Sequence, residues 1–195
     1  MRDLKQVVEA VREILIGIGE DPDREGLTGT PNRAARAWME LTEGYGMDPG
    51  DVLRTSEGSD GFSAPSYDQM IVVAGIKFWS TCEHHLMPFG GTVDVAYLPG
   101  EQGRVVGLSK IPRLVEVFAR RLQIQEQMTS QIAESLENHL DPIGVGVRVR
   151  ASHLCASCRG VRKDVTMVTS RLTGRFREHS VRSEFWELAN SGGNT

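Results

Sequence analysis

The run "STCEHHLMPF" at residues 80–89 sets a thiol, a carboxylate and two adjacent imidazoles among small and apolar neighbours. Cys82 and His85 form a Cys-x-x-His, a spacing that brings sulfur and nitrogen donors within reach of one metal ion. Two neighbouring imidazoles do not easily serve one purpose, so the segment asks which of Cys82, His84 and His85 binds something and what the other does. A second segment, "VGVRVRASHLC", ends in His153 and Cys155. If it stays extended, its period of two puts both on one face with Val145, Val147, Val149 and Ala151. Thiolate and imidazole together suit Zn²⁺, and a catalytic zinc site keeps one of its four positions for water. Taken singly, each motif reads as packing, because a free cysteine behaves as a small buried hydrophobe. Taken together in one small domain, they put metal binding level with packing. Cys158 adds a Cys-x-x-Cys with Cys155. A closed Cys₃His site from Cys82, His85, Cys155 and Cys158, structural and without room for a reactive water, therefore stands beside the open catalytic one.

Charged residues gather near these motifs. "GLSKIPRLVE" places Ser109, Lys110 and Arg113 at the start of a helix, where free N–H groups and the helix dipole favour anions. "CRGVRK" adds Arg159, Arg162 and Lys163 just after Cys155. Each alone reads as solvated surface; beside a metal-site candidate they point to a phosphorylated substrate. Nucleic acid is not expected, because no aromatic residues are interleaved with the basic ones. "QIQEQMTSQI" sets Gln125 and Glu126 at a helix start, where Glu126 complements the dipole. Such a pair can also grip the donor-rich edge of a guanine, since a carboxylate accepts from two N–H groups at once.

These residues need a scaffold. Leu4, Val7, Val8, Val11, Ile14, Leu15 and Ile18 recur at three- and four-residue spacings, predicting a helix over 3–18. A second begins at Thr30 as N-cap with Pro31 at the first helical position, and stops at Gly44 or Gly46. Residues 47–66, rich in Gly, Ser, Asp and Pro, read as a loop or linker. Strands follow over 69–79 and 91–99, the latter with Val93, Val95 and Tyr97 alternating with Asp94, Ala96 and Leu98. Two helices over about 109–120 and 124–140 come next, the second with Ile124, Met128, Ile132, Leu136 and Leu140 at a spacing of four. "GVGVRVRASHLC" and "DVTMVTSRLTGRF" alternate as antiparallel partners, and a short helix near 180–189 closes the chain. The order implies an α+β fold, helices on one face of an antiparallel sheet. The expected division is an N-terminal helical region with linker, residues 1–66, and a catalytic domain, residues 67–195.

Of the 195 residues, 39% are apolar and 25% charged, as in an ordinary globular chain, and the net charge of −4 gives no reason to expect nucleic acid or an anionic membrane. No apolar run approaches the ~20 residues that span a bilayer, and charges interrupt the start, unlike a signal peptide. Three cysteines do not make a disulfide framework. The expectation is a cytoplasmic protein with no membrane partner.

In combination, "GLTGTPNRAARAW", "STCEHHLMPF", "GLSKIPRLVEVFARRLQIQEQMTSQI" and "HLCASCRGVRK" resemble the GTP cyclohydrolase I family, in the family's order and over nearly the whole chain. The resemblance implies a zinc enzyme that converts GTP to 7,8-dihydroneopterin triphosphate and formate, at the entry to tetrahydrofolate or related pterin or deazapurine synthesis. It implies the tunnelling fold, an antiparallel sheet with two helices on one face preceded by N-terminal helices, assembled as a homodecamer with active sites at subunit interfaces. Carried over, Cys82, His85 and Cys155 hold zinc, and His84 and His153 transfer protons. Gln125 and Glu126 hold the guanine edge. Leu108, Ser109, Lys110, Arg113 and Arg159 line the triphosphate and ribose side, and Arg33 reaches a phosphate from a neighbouring subunit. The chain departs from the family at Arg150, where an acid is usual, and at Cys158, where cysteine is not. Two rivals remain open: a non-catalytic zinc-stabilised binder of a nucleotide or pterin, and a related enzyme of the same fold that acts on another purine nucleotide or stops after ring opening.

Overall fold

Asp3 starts the first helix: its extended backbone lets its carboxylate accept from the N–H groups of Lys5 and Gln6, two donors the helix leaves free. The computed structural model describes residues 2–54, 61–63 and 67–192. These fall into two units, one up to Glu43 and one from Gly44.

The first unit is a pair of helices, α1 (Leu4–Gly17) and α2 (Thr30–Leu41). Thr30 is not the cap of α2. Gly29 stands one residue earlier as N-cap, its carbonyl taking the Arg33 N–H, so Pro31 is the second helical residue. Nor does the helix run to Gly44. It ends at Leu41, where the Thr42 hydroxyl bonds back to the Trp38 carbonyl at 2.7 Å, and residues 43–46 tighten into a 3₁₀ turn.

In the second unit, part of the expected linker is helical. α3 (Pro49–Leu53) is capped by Asp48, whose carboxylate accepts from Gly50 N–H, and it begins on a proline suited to that position. Residues 61–63 (β1) pair with β4 (Arg104–Val106); the rest of 55–66 lies outside the described residues. The main sheet holds β2 (Ile71–Cys82), β3 (Pro88–Leu98), β5 (Leu122–Gln123), β6 (Gly144–His153) and β7 (Thr166–Leu172) in the order β5-β2-β3-β6-β7. All pairs are antiparallel except β5 with the end of β2.

Alternation along β3 and β6 decides the layers. Val93, Val95 and Tyr97 share a face with Val145, Val147, Val149 and Ala151, covered by α4 (Lys110–Ala119) and α5 (Gln125–Leu140). Met128, Ile132, Leu136 and Leu140 form the α5 stripe, each such buried side chain contributing about 1.5–3 kcal/mol. The α+β architecture, with two helices on one face, is thus as expected. The closing helix α7 (His179–Ser191) takes the other face, over Met70, Ala96 and Leu98. Gly146 of β6 makes room there: a Cβ would come within 2.6 Å of the Phe176 ring.

That cover buries Asp94, which alternation alone would leave at the sheet's outer surface. Its carboxylate accepts from the N–H of Gly75, at a bulge in β2 with φ of +69°, and from Arg148 Nε at 2.8 Å. Arg148 also donates to Asn190 and lies over the Trp186 ring, tying α7 to the sheet. Removing the carboxylate strands a buried guanidinium, so Asp94→Ala is expected to cost roughly 3 kcal/mol. Urea unfolding at fixed protein concentration measures it; a change under 1 kcal/mol would mean the pair is not structurally important.

Candidate active site

β2 delivers Cys82 to the helix-covered face, 6% exposed, and the chain then folds back on itself. Cys82 N–H donates to the Met87 carbonyl, while the Cys82 carbonyl takes the Leu86 N–H at 2.8 Å. Leu86 closes this turn in the left-handed region, φ 54°, a conformation that costs a non-glycine residue energy and is common where a site needs it. The turn separates the adjacent histidines. Both rings are exposed, but His85 reaches back to place its Nδ1 3.7 Å from Cys82 Sγ, whereas His84 Nε2 lies 3.9 Å from a Glu83 carboxylate oxygen.

The third donor arrives across the sheet. β3 starts beside the turn and pairs with β6 so that Phe89 faces His153. Their rings stack at 4.5 Å and 3°. β6 stops at His153 rather than running through Cys155, and residues Leu154–Ser157 form one helical turn, α6. That turn carries Cys155 Sγ to 4.0 Å from Cys82 Sγ. The sulfurs of Cys82 and Cys155 and a His85 ring nitrogen all lie within 4.8 Å of one another. A tetrahedral zinc ion with ordinary bonds needs sulfurs about 3.8 Å apart and a sulfur and nitrogen about 3.6 Å apart, close to the 4.0 Å between the two sulfurs and the 3.7 Å between Cys82 and His85. Burial, and then the neighbouring Cys82, push the Cys155 thiol up; a cation here displaces those protons. Cys158 is exposed and is not one of the three gathered donors.

Around this trio lie the remaining candidates. Burial lowers the pKa of His153, opposed by the charge of nearby Glu126. His153 Nε2 sits 2.9 Å from Gln125 Oε1. Gln125, 1% exposed, also has its Nε2 within 3.1 Å of the carbonyls of Val149 and Met167 and of Thr169 Oγ1. Of the two residues expected at a guanine edge, Glu126 is the one with an exposed side chain. The short parallel strand β5 sets this geometry: Cys82 pairs with Gln123, and Glu83 N–H donates to the Gln123 carbonyl, so α5 begins beside the Cys82 turn.

Ser109, Lys110 and Arg113 line a cavity of about 640 Å³ at the start of α4, with Asp48 and Asp51 also on its wall. The lining of that cavity includes neither the three metal-type donors nor His153. Leu108, beside it in sequence, is 72% exposed. Arg159 is exposed and donates to the Cys155 carbonyl at 3.2 Å. Arg33 lies in the other unit, in the first turn of α2, bonded to Thr30 Oγ1. Arg150, the departure in β6, has a guanidinium nitrogen 3.9 Å from Asp94. Sequence reasoning missed Phe89 as the platform of His153; the signal is only its place seven residues after Cys82, at the start of a strand.

The model of the family described as GTP cyclohydrolase I matches residues 7–190. A relative from Thermobifida fusca, "GTP cyclohydrolase 1", is 49% identical over 188 residues, covering 95% of this chain and 88% of the relative. One of the same name from Campylobacter concisus is 50% identical, covering 93% of each. Among solved structures, a dihydroneopterin aldolase from Burkholderia aligns with 15% identity and a TM-score of 0.37, over 56% of this chain and 94% of that one.

Proposed function

The chain belongs to the GTP cyclohydrolase I family, and from that premise we infer that it hydrolyses GTP to 7,8-dihydroneopterin triphosphate with release of formate. The observation that carries this reading is the gathering of Cys82, His85 and Cys155, with His153 two residues from Cys155, inside a chain matched to that family over residues 7–190.

Cys82, His85 and Cys155 would hold the metal ion, and two thiolates with one imidazole are a donor set of catalytic zinc sites. Zinc, when bound, supplies a Lewis acid and lowers the pKa of a water toward neutrality. The chain's own residues do the rest. His84, exposed beside the trio, and His153, held against Phe89, carry protons to and from the nitrogens of the base's five-membered ring as water adds at C8. Opening that ring and freeing formate needs protons delivered to both departing nitrogens, work suited to imidazole because its pKa lies near the working pH. Glu126 accepts from the N–H groups of the guanine edge. Ser109, Lys110 and Arg113, with Arg159, bind the triphosphate and ribose, using the start of α4 as an anion site.

The protein works as a homodecamer whose active sites form between subunits, with Arg33 reaching a neighbour's phosphate. Two features support assembly. Among the described residues the edge strand β7 pairs only with β6 and exposes Val168, leaving a row of N–H and C=O groups for another strand. The cavity at the basic cluster is lined by Ser109, Lys110 and Arg113 without any of the three metal-type donors, so a second subunit is the proposed source of the rest of the substrate's cradle. Among the described residues no helix is long and apolar enough to cross a membrane, and free thiols at the site suit the reducing cytoplasm.

Incubation of zinc-loaded protein with GTP is expected to yield formate and, after oxidation, neopterin fluorescence in equal amounts. Formate alone would place the end of the reaction at ring opening. Neither product, from metal-loaded oligomer, would overturn the reading.

A further inference from the structure

We infer that Gln125 is a positioning residue that fixes the ring tautomer and rotation of His153, keeping hydrogen on Nε2 and the lone pair on Nδ1. The inference rests on the proton-transfer role proposed for His153 and departs from the guanine-edge role that resemblance gives Gln125.

The direction of every hydrogen bond around Gln125 follows from which groups can only accept. Gln125 Nε2 faces the main-chain carbonyls of Val149 and Met167, both at 3.1 Å. Carbonyls cannot donate, so the end of the amide turned toward them must be the NH₂ group. The third neighbour, Thr169 Oγ1 at 3.1 Å, agrees with this. Thr129 donates its one hydroxyl hydrogen to the Gln125 main-chain carbonyl at 2.7 Å. In its 2.7 Å contact with Thr169, Thr129 must then accept, so Thr169 gives its hydrogen there and turns only lone pairs to the Gln125 amide, whose two hydrogens are shared among the three acceptors. The cycle from Gln125 amide to Thr169 to Thr129 and back to the Gln125 backbone runs one way.

With the amide thus oriented, its oxygen faces His153 Nε2 at 2.9 Å. A carboxamide oxygen only accepts, so Nε2 carries hydrogen, and the neutral ring has its lone pair on Nδ1. The Phe89 ring, parallel at 4.5 Å, fixes the plane of the imidazole; the bond to Gln125 fixes its rotation within that plane. Gln125 is 1% exposed, so its amide is held by α5, β6 and β7 rather than by water. The proton-bearing nitrogen of a catalytic histidine is set by the hydrogen bond its other nitrogen makes, and here that partner is an uncharged amide anchored across three elements.

Two measurements test this. In zinc-loaded wild-type protein with ¹⁵N-labelled histidine rings, solid-state NMR is expected to show His153 protonated at Nε2 and bare at Nδ1, the resonance being assigned by its loss in His153→Asn. A proton on Nδ1 would overturn the inference. Gln125→Met keeps the volume and removes the acceptor. It is expected to retain zinc, bind GTP within twofold of wild type, and lose kcat by about a hundredfold, the scale of a misplaced proton-transfer group. Weakened GTP binding with kcat preserved would return Gln125 to the guanine edge. If that variant fails to fold, the wild-type tautomer decides alone. Failure of wild-type turnover would strike the functional reading, whereas the tautomer measurement strikes only this one.

Discussion

A His84→Ala protein is expected to bind metal at the wild-type ratio and to release formate from GTP at least about a hundredfold more slowly. The reasoning begins in the turn after β2. Cys82 and His85 lie 3.7 Å apart, sulfur to ring nitrogen, whereas the His84 side chain is 64% exposed and contributes no atom to the gathered donors. Truncating it leaves all three donors where they are. Because the side chain is exposed and its closest charged neighbour is Glu83 at 3.9 Å, folding stability should change by no more than about 0.5 kcal/mol. What disappears is the imidazole proposed to carry a proton to the substrate beside the trio. Metal content by elemental analysis and formate release on the same preparation check this. Loss of metal together with activity would mean that the two histidines do not divide their tasks as proposed.

Cys155→Ser is expected to have the larger effect, removing bound metal and turnover together, while Cys158→Ser leaves both near wild type. Cys155 Sγ stands 4.0 Å from Cys82 Sγ, and without it one thiolate and one imidazole remain. A serine hydroxyl does not ionise near neutrality as a metal-bound thiol does, so it cannot replace the lost charge. Chelation of the wild-type protein should reproduce the loss reversibly, activity returning when metal is added back. If Cys158→Ser also lost its metal, the closed four-ligand arrangement would have to be restored despite the exposed position of that residue.

Much of the scaffold was legible because burial leaves a periodic trace. Val93, Val95 and Tyr97 in β3, Val145, Val147 and Val149 in β6, and the four-residue spacing in α5 all mark the face that became the core. Periodicity does not say what covers the other face. Asp94 alternates as a solvent residue should, yet α7 and Arg148 enclose it, a consequence of tertiary packing that no local pattern carries. The helix at Pro49–Leu53 hid within a stretch of loop-forming residues because Asp48 and Pro49 are equally good turn and helix-start residues. At the site, the residue types announced metal chemistry, but adjacent histidines share one sequence environment. Only the backbone of the turn, with Leu86 at positive φ, separates His84 from His85. Gln125 and Glu126 are likewise indistinguishable as neighbours; one helical step of about 100° buries the first and exposes the second.

The donors of the metal site come from opposite sides of β3, and this governs when the site can exist. Cys82 and His85 leave the ribosome together, but Cys155 follows 73 residues later. It reaches them only after β6 has docked along β3 from Phe89 to Leu98. A nascent chain therefore holds two donors, too few to retain an ion against competing cellular thiols. Metal capture by the trio would then be a late event of maturation, following the closure of distant strands. An ion bound by all three donors would thus report that β6 has docked on β3.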